Sequence, residues 1–174
     1  MKKIALILSL VLMLAACGTT APETSAPAAP AVSAPEGTCA ELVEKLYENV
    51  PVELALMTMP IDLADEFAVT AYTGAASAEG MIEGAFNESM IGAQAYSLSL
   101  VKCESAEKAA ELAQTMCDNI DTRKWVCVEA TEKQAVVAGD LAFFVMLNPE
   151  YGVSSDAIVE AFTTVVGTDV TVIK

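Results

Sequence analysis

Five cysteines, the Ser-x-x-Lys at 105–108, several carboxylate pairs and one Met-x-Met are the places where this chain could do chemistry, and it holds no histidine. That absence removes the commonest general base and the commonest metal ligand. Cys17 is the most sharply placed of these residues. It follows Leu14-Ala15-Ala16, behind Met1-Lys2-Lys3 and an apolar run, Ile4 to Ala16, in which only Ser9 is polar. A cationic start and a short apolar run have the form of a secretory signal, and the run falls short of the roughly 20 residues a spanning helix needs. Small residues ending on a cysteine have the form of a bacterial lipobox. There the cysteine sulfur is the nucleophile that takes up diacylglycerol. The expectation is lipidation of Cys17 and a chain held on the extracytoplasmic face of the cell membrane, with palmitate-type acyl chains as its anchor.

Cys39, Cys103, Cys117 and Cys127 remain. Outside a membrane, four cysteines allow two disulfides by three connectivities. The other reading is four free thiols packed as small hydrophobes. No Cys-x-x-Cys occurs. Gaps of 13 and 9 residues separate the last three cysteines, and with no His a cysteine zinc site is not expected. Cysteine-nucleophile chemistry lacks its usual base. Ser105-Ala106-Glu107-Lys108 matches Ser-x-x-Lys in form, but the partner motifs of penicillin-binding enzymes are missing. A helix cap with an exposed lysine is the plainer reading. Asp65-Glu66, and Glu41 with Glu44, could serve a glycosidase or hold calcium, yet no calcium loop accompanies them. Met57-x-Met59 has the softness for copper(I), against a plainer role in a core or as a loop plug. No catalytic residue, cofactor or metal site is assigned.

Charge narrows the partners. Nine Lys and Arg face 24 Asp and Glu, a formal net charge of −15, which argues against nucleic acid. Loss of Lys2 and Lys3 with a leader would leave seven basic residues against those 24 acids, so an anionic membrane surface would not attract the domain. The reading is a signal peptide over 1–16, a lipidated Cys and Pro/Ala-rich tether over 17–37, and one globular domain over 38–174. The tether has prolines at 22, 27, 30 and 35 and no apolar period. Extended at about 3.1 Å per residue, it would reach ~60 Å.

Thr38 and Glu41 have capping-box spacing before Leu42, Val43, Leu46, Tyr47 and Val50. Residues 52–61 are expected to be extended or irregular, because Pro60 blocks a helix. Asp62 can cap a second helix, Leu63 to about Tyr72. Met81 to Gly92 carries no decisive period, and a short helix fits it. Tyr96, Leu98 and Leu100 alternate with Ser97 and Ser99 as in a strand with one apolar face. Ser105 opens a third helix with the stripe Ala109, Leu112, Ala113, Met116. Trp125 to Val128 is a strand or a turn onto one. Gly139-Asp140 between two apolar runs predicts a two-residue hairpin. Its register puts Ala138 opposite Leu141, Val137 opposite Ala142 and Val136 opposite Phe143. Ser154 or Ser155 caps a fourth helix to Val166, closed by Gly167, and Val170 to Ile173 make a last strand.

From residue 93 this is strand, helix, hairpin, helix, strand: an α+β fold with a small antiparallel sheet, a split β-α-β arrangement related to ferredoxin-like folds, and extra N-terminal helices. The hairpin is apolar on both faces. Helices three and four are expected over one face and the first two helices over the other, giving a monomer.

The stretch Ala135-Val136-Val137-Ala138-Gly139-Asp140 running into Phe143-Phe144-Val145-Met146-Leu147 resembles the hairpin of domain of unknown function family 4358. These are lipoproteins, mostly of Gram-positive Firmicutes. The resemblance covers about residues 38 to 148. The chain departs from it in Ala142 and in its five cysteines. It implies a surface lipoprotein with no functional residues to carry over. The function expected is a non-enzymatic binding or envelope-accessory domain with an unknown envelope or protein partner. The alternative is an envelope-acting hydrolase with a Ser-Lys or carboxylate site.

Overall fold

Thr38 begins the first element as its spacing predicts. The computed structural model describes residues 35–173. In it, Thr38 accepts from the Glu41 N–H and Glu41 accepts from the Thr38 N–H, a complete capping box opening helix α1, Cys39–Tyr47. Strand β1 follows at Leu56–Pro60, then helix α2 at Glu66–Thr73. Asp65, rather than Asp62, caps α2 by accepting from the Phe67 N–H. Asp62 is occupied in a local turn with the Ala64 N–H, so the helix starts three residues later than Leu63.

Met81–Ser89 is a strand, β2, where a short helix was expected. It lies inside the sheet, bonded on both sides, and its central residues are buried on both faces. A strand covered on both faces loses the alternation that would mark it. Gly84 also interrupts the pattern. A Cβ there would press on the Ile61 side chain at 3.0 Å, so glycine suits the close approach of the chain after β1.

Strand β3 is Tyr96–Cys103 and helix α3 is Ala106–Asn119, with Ala109, Leu112, Ala113 and Met116 buried as the stripe predicted. Strands β4, Glu132–Ala138, and β5, Leu141–Leu147, form the hairpin in the predicted register. Gly139 supplies the left-handed backbone of the turn at φ 59°. A 3-10 turn at Pro149–Tyr151 precedes helix α4, Ser155–Val166, which Ser154 caps and Gly167 closes. Strand β6, Thr171–Ile173, ends the sheet.

The six strands run β1-β2-β3-β5-β4-β6, every neighbouring pair antiparallel. The fold is α+β. β5 lies between β3 and β4, so β3 and β4 are parallel and β3-α3-β4 is a split β-α-β unit. β4 likewise lies between β5 and β6, and β5-α4-β6 is a second such unit. The element order is that of a ferredoxin-like fold, but β6 joins beside β4, because β2 already occupies the outer edge of β3.

That choice of edge corrects the expected placement of helices. Both crossovers step the same way across the sheet from strands of opposite direction. Right-handed connections then put their helices on opposite faces. Accordingly α4 packs with α1 on one face, around Leu98, Leu100, Phe143, Val145 and Phe162. α3 packs with α2 on the other, around Phe86, Val101, Phe144 and Met146. Both faces are covered, as the two-sided hairpin requires. Ser97 and Ser99 are buried too, so β3 has no wet face.

Candidate functional site

Cys17 lies outside the described residues. Of the other sequence candidates, Ser105 and Lys108 stand at the start of α3. The Ser105 hydroxyl accepts from the Lys108 N–H at 3.2 Å, which satisfies one orphan donor of the first turn. The Lys108 ammonium turns outward to Glu111 at 2.9 Å. That hydrogen bond and charge hold the ammonium above its ordinary pKa, the wrong direction for a lysine that must give a neutral base. A groove of about 360 Å³ between the loop after α2 and α3 is lined by Lys108, Glu111 and Thr115, but not by Ser105.

The carboxylate pairs have structural work. Asp65 caps α2 and Glu41 completes the α1 box. Among the described residues no three His, Cys, Asp or Glu side chains gather as a metal group. Cys39, Cys103, Cys117 and Cys127 are all free. Burial, more than neighbouring charge, pushes the Cys39 thiol up to about 12 and the Cys103 thiol up to about 11. Both are held as thiols, poor nucleophiles at neutral pH. Met57 and Met59 are neither core nor plug. They lie exposed on β1, at the edge of the sheet.

Two polar constellations come from residues that the sequence did not join. The first is buried on the α1 side. The Tyr47 hydroxyl donates to Asn87 Oδ1 at 2.7 Å and stands 2.9 Å from the Tyr96 hydroxyl. Asn87 Nδ2 donates to Thr58 Oγ1 at 2.9 Å. The chain of bonds ties α1 to β3, β2 and β1. Burial raises both phenol pKa values, so they stay neutral donors.

The second lies on the α2 side, where the segment after α3 crosses the ends of β2 and β3. Tyr72 of α2 stacks on Phe86 with centroids 3.7 Å apart. Lys124 sits over the Tyr72 ring at 5.0 Å and the Trp125 ring at 5.5 Å. It pairs with Glu88, and it donates to Ser97 at 3.0 Å. Ser97 donates to Glu88 at 2.9 Å. Lys124 and Glu88 keep 23% and 22% exposure, so the pair is neither dry nor freely solvated. Burial first, and Glu88 second, raise the Tyr72 phenol. This cluster pairs aromatic faces with both signs of charge, which suits recognition; its one hydroxyl, Ser97, lies between Lys124 and Glu88 but is only 3% exposed. One local signal was present in the sequence: the only tryptophan follows a lysine. Its partner Glu88, 36 residues away, lay in the strand that carried no period.

Among the described residues no helix is long and apolar enough to cross a membrane. No family model, curated protein or solved structure matches the chain.

Proposed function

We propose that this chain is a bacterial surface lipoprotein, anchored through Cys17 on the extracytoplasmic face of the cell membrane, whose folded part is a non-enzymatic binding or envelope-accessory domain. The observation that carries the reading is Leu14-Ala15-Ala16-Cys17 at the end of a short apolar run behind two lysines. Placement in domain of unknown function family 4358 belongs to the same proposal and rests on the β4–β5 hairpin. A monomer that binds no nucleic acid accords with the sheet covered on both faces and the net charge of −15. The non-enzymatic part is supported by the duties of the groups that could react. Ser105 caps a helix, Lys108 is ion-paired, and Cys39 and Cys103 are buried thiols. The contact of Ser97 with Lys124 and Glu88 is the feature closest to the hydrolase alternative, and it counts little because Ser97 is buried and Lys124 is ion-paired.

Metabolic labelling with a tagged fatty acid tests the anchor. The expected result is a labelled chain shortened by its leader, and an unlabelled, full-length Cys17→Ala variant. Label on that variant, or none on the parent, overturns the proposal.

A further inference from the structure

Lys124 fills a place shaped for a cation. Its ammonium stands over the Tyr72 ring at 5.0 Å and the Trp125 ring at 5.5 Å, and it pairs with Glu88. Two aromatic faces and a carboxylate around one positive nitrogen are the elements of an aromatic cage. They come from three separate parts of the fold: Tyr72 from α2, Glu88 from β2, and Trp125 from the irregular segment after α3. The Tyr72 ring lies stacked on Phe86, and Ser97 donates to Glu88, so ring and carboxylate have partners that do not depend on Lys124. Met57 faces Glu88 across the β1–β2 ladder and Met59 faces Phe86, which sets exposed apolar side chains beside the cage. The spacing also carries information. A methyl group stands about 1.5 Å from its nitrogen and rests on a ring at about 3.5–4.0 Å. Ring-to-nitrogen distances of 5.0 and 5.5 Å are therefore those of a methylated nitrogen, wider than a bare ammonium needs.

We propose that Tyr72, Trp125 and Glu88 form a binding site for a quaternary ammonium group, with Lys124 as the internal cation that such a ligand displaces. The group is carried by a small free cation such as choline or by a phosphatidylcholine headgroup. Departure of Lys124 leaves Ser97 still donating to Glu88, and Lys124, 23% exposed, has water to move into. The net charge of −15 draws cations toward the domain. Docking of a strand on the edge beside the cage is the other use for this end, and β1 is poorly made for it. The bonds at Ala55 and Ile61 fix the odd-numbered residues as those bonded to β2. The outward positions are then Leu56, Thr58 and Pro60, and Pro60 has no N–H to offer. The site gives the proposed binding domain a ligand and rests on that reading, but not on the anchor, so labelling at Cys17 and ligand binding can fail separately.

Trp125 is the only tryptophan, so indole fluorescence reports the cage alone. The test titrates the full chain, in a maltoside detergent at constant ionic strength, with choline and with dimethylbutanol, its neutral isostere with carbon in place of nitrogen. The expected result is a saturable fluorescence change with choline, and binding of the isostere at least about tenfold weaker. These two titrations use the parent chain and need no variant to fold. Lys124→Ala should bind choline about tenfold more tightly, because no internal cation has to leave. Within that variant, Glu88→Gln and Tyr72→Leu should each weaken binding about tenfold. Micelles doped with phosphatidylcholine identify the source. A fluorescence change that free choline reverses assigns the headgroup, and no change beside a response to choline assigns the free cation. Equal response to choline and its isostere overturns the site. So does the absence of a saturable response in the parent and in Lys124→Ala alike, or weaker binding by a folded Lys124→Ala, and Lys124 is then a structural ion pair only.

Discussion

The β4–β5 hairpin and the β1–β2 end of the sheet are built on opposite terms. In the hairpin every residue of β5 is buried, and helices lie on both faces. Phe143 stacks on Phe162 of α4 at 4.3 Å, while Phe144 belongs to the α2–α3 side. At the β1–β2 end, β1 is an edge with exposed methionines. There the packing gives way to a tyrosine–asparagine chain on one face and a cation–aromatic cluster on the other. Strand β5 has no surface left to offer a partner. The β1–β2 end holds the exposed apolar side chains and partly solvated charges that recognition uses. The difference locates stability in the hairpin and leaves the β1–β2 end as the surface open to the proposed binding.

Truncating the aromatics of β5 should break the comparison most severely. Phe143→Ala and Phe144→Ala should each cost about 3–5 kcal/mol in denaturant unfolding, a large share of the ~5–15 kcal/mol that holds a domain. A near-neutral result at either position would mean that its face is not a core. Tyr47→Phe comes next. It strips the donor from buried Asn87 Oδ1, and an unmet buried acceptor costs about 1–3 kcal/mol. An unchanged unfolding midpoint would reduce that network to decoration.

The thiol of Cys39 gives a smaller effect with a definite sign. Folding raises its pKa from 9.0 to about 12, so the folded state holds the proton more tightly. Its stabilising contribution is complete below about pH 9 and is lost as pH rises toward 12. By about pH 10 the loss should reach about 1 kcal/mol, and Cys39→Ala should flatten the alkaline slope. An equally steep slope in that variant would assign the loss to other groups. Smallest is Lys124→Met, which removes a partly exposed ion pair and its ring contacts. It should cost about 0.5–1 kcal/mol, detectable as a small shift of the unfolding midpoint. A loss as large as that of the phenylalanine variants would make the β1–β2 end part of the core.

The same contrast decides what could be read from the sequence. Gly139-Asp140 between apolar runs fixes a register locally, and the α3 stripe and the caps at Thr38, Ser105 and Ser154 are local as well. β2 was missed because burial on both faces erased its alternation, with Gly84 breaking the run. The faces of α3 and α4 were missed because they depend on which edge β6 joins, a choice made by β2 occupying the other edge. Handedness would have given the answer once that edge was known. The site residues were harder to find. Lys124 and Glu88, like Tyr47 and Asn87, meet only through the strand order, so neither pair leaves a spacing to recognise. The proposed lipidation of Cys17 stands apart, because it rests on four residues and an apolar run and on no tertiary contact.

Native-state hydrogen exchange tests the division of the sheet most directly. The account predicts that the Phe143 to Met146 amides exchange only through global unfolding, while the Leu56 and Thr58 amides, facing the open edge of β1, exchange nearly as fast as unprotected ones. Equal protection in β5 and β1, or slow exchange at Leu56 and Thr58, would contradict it and show that the edge is covered.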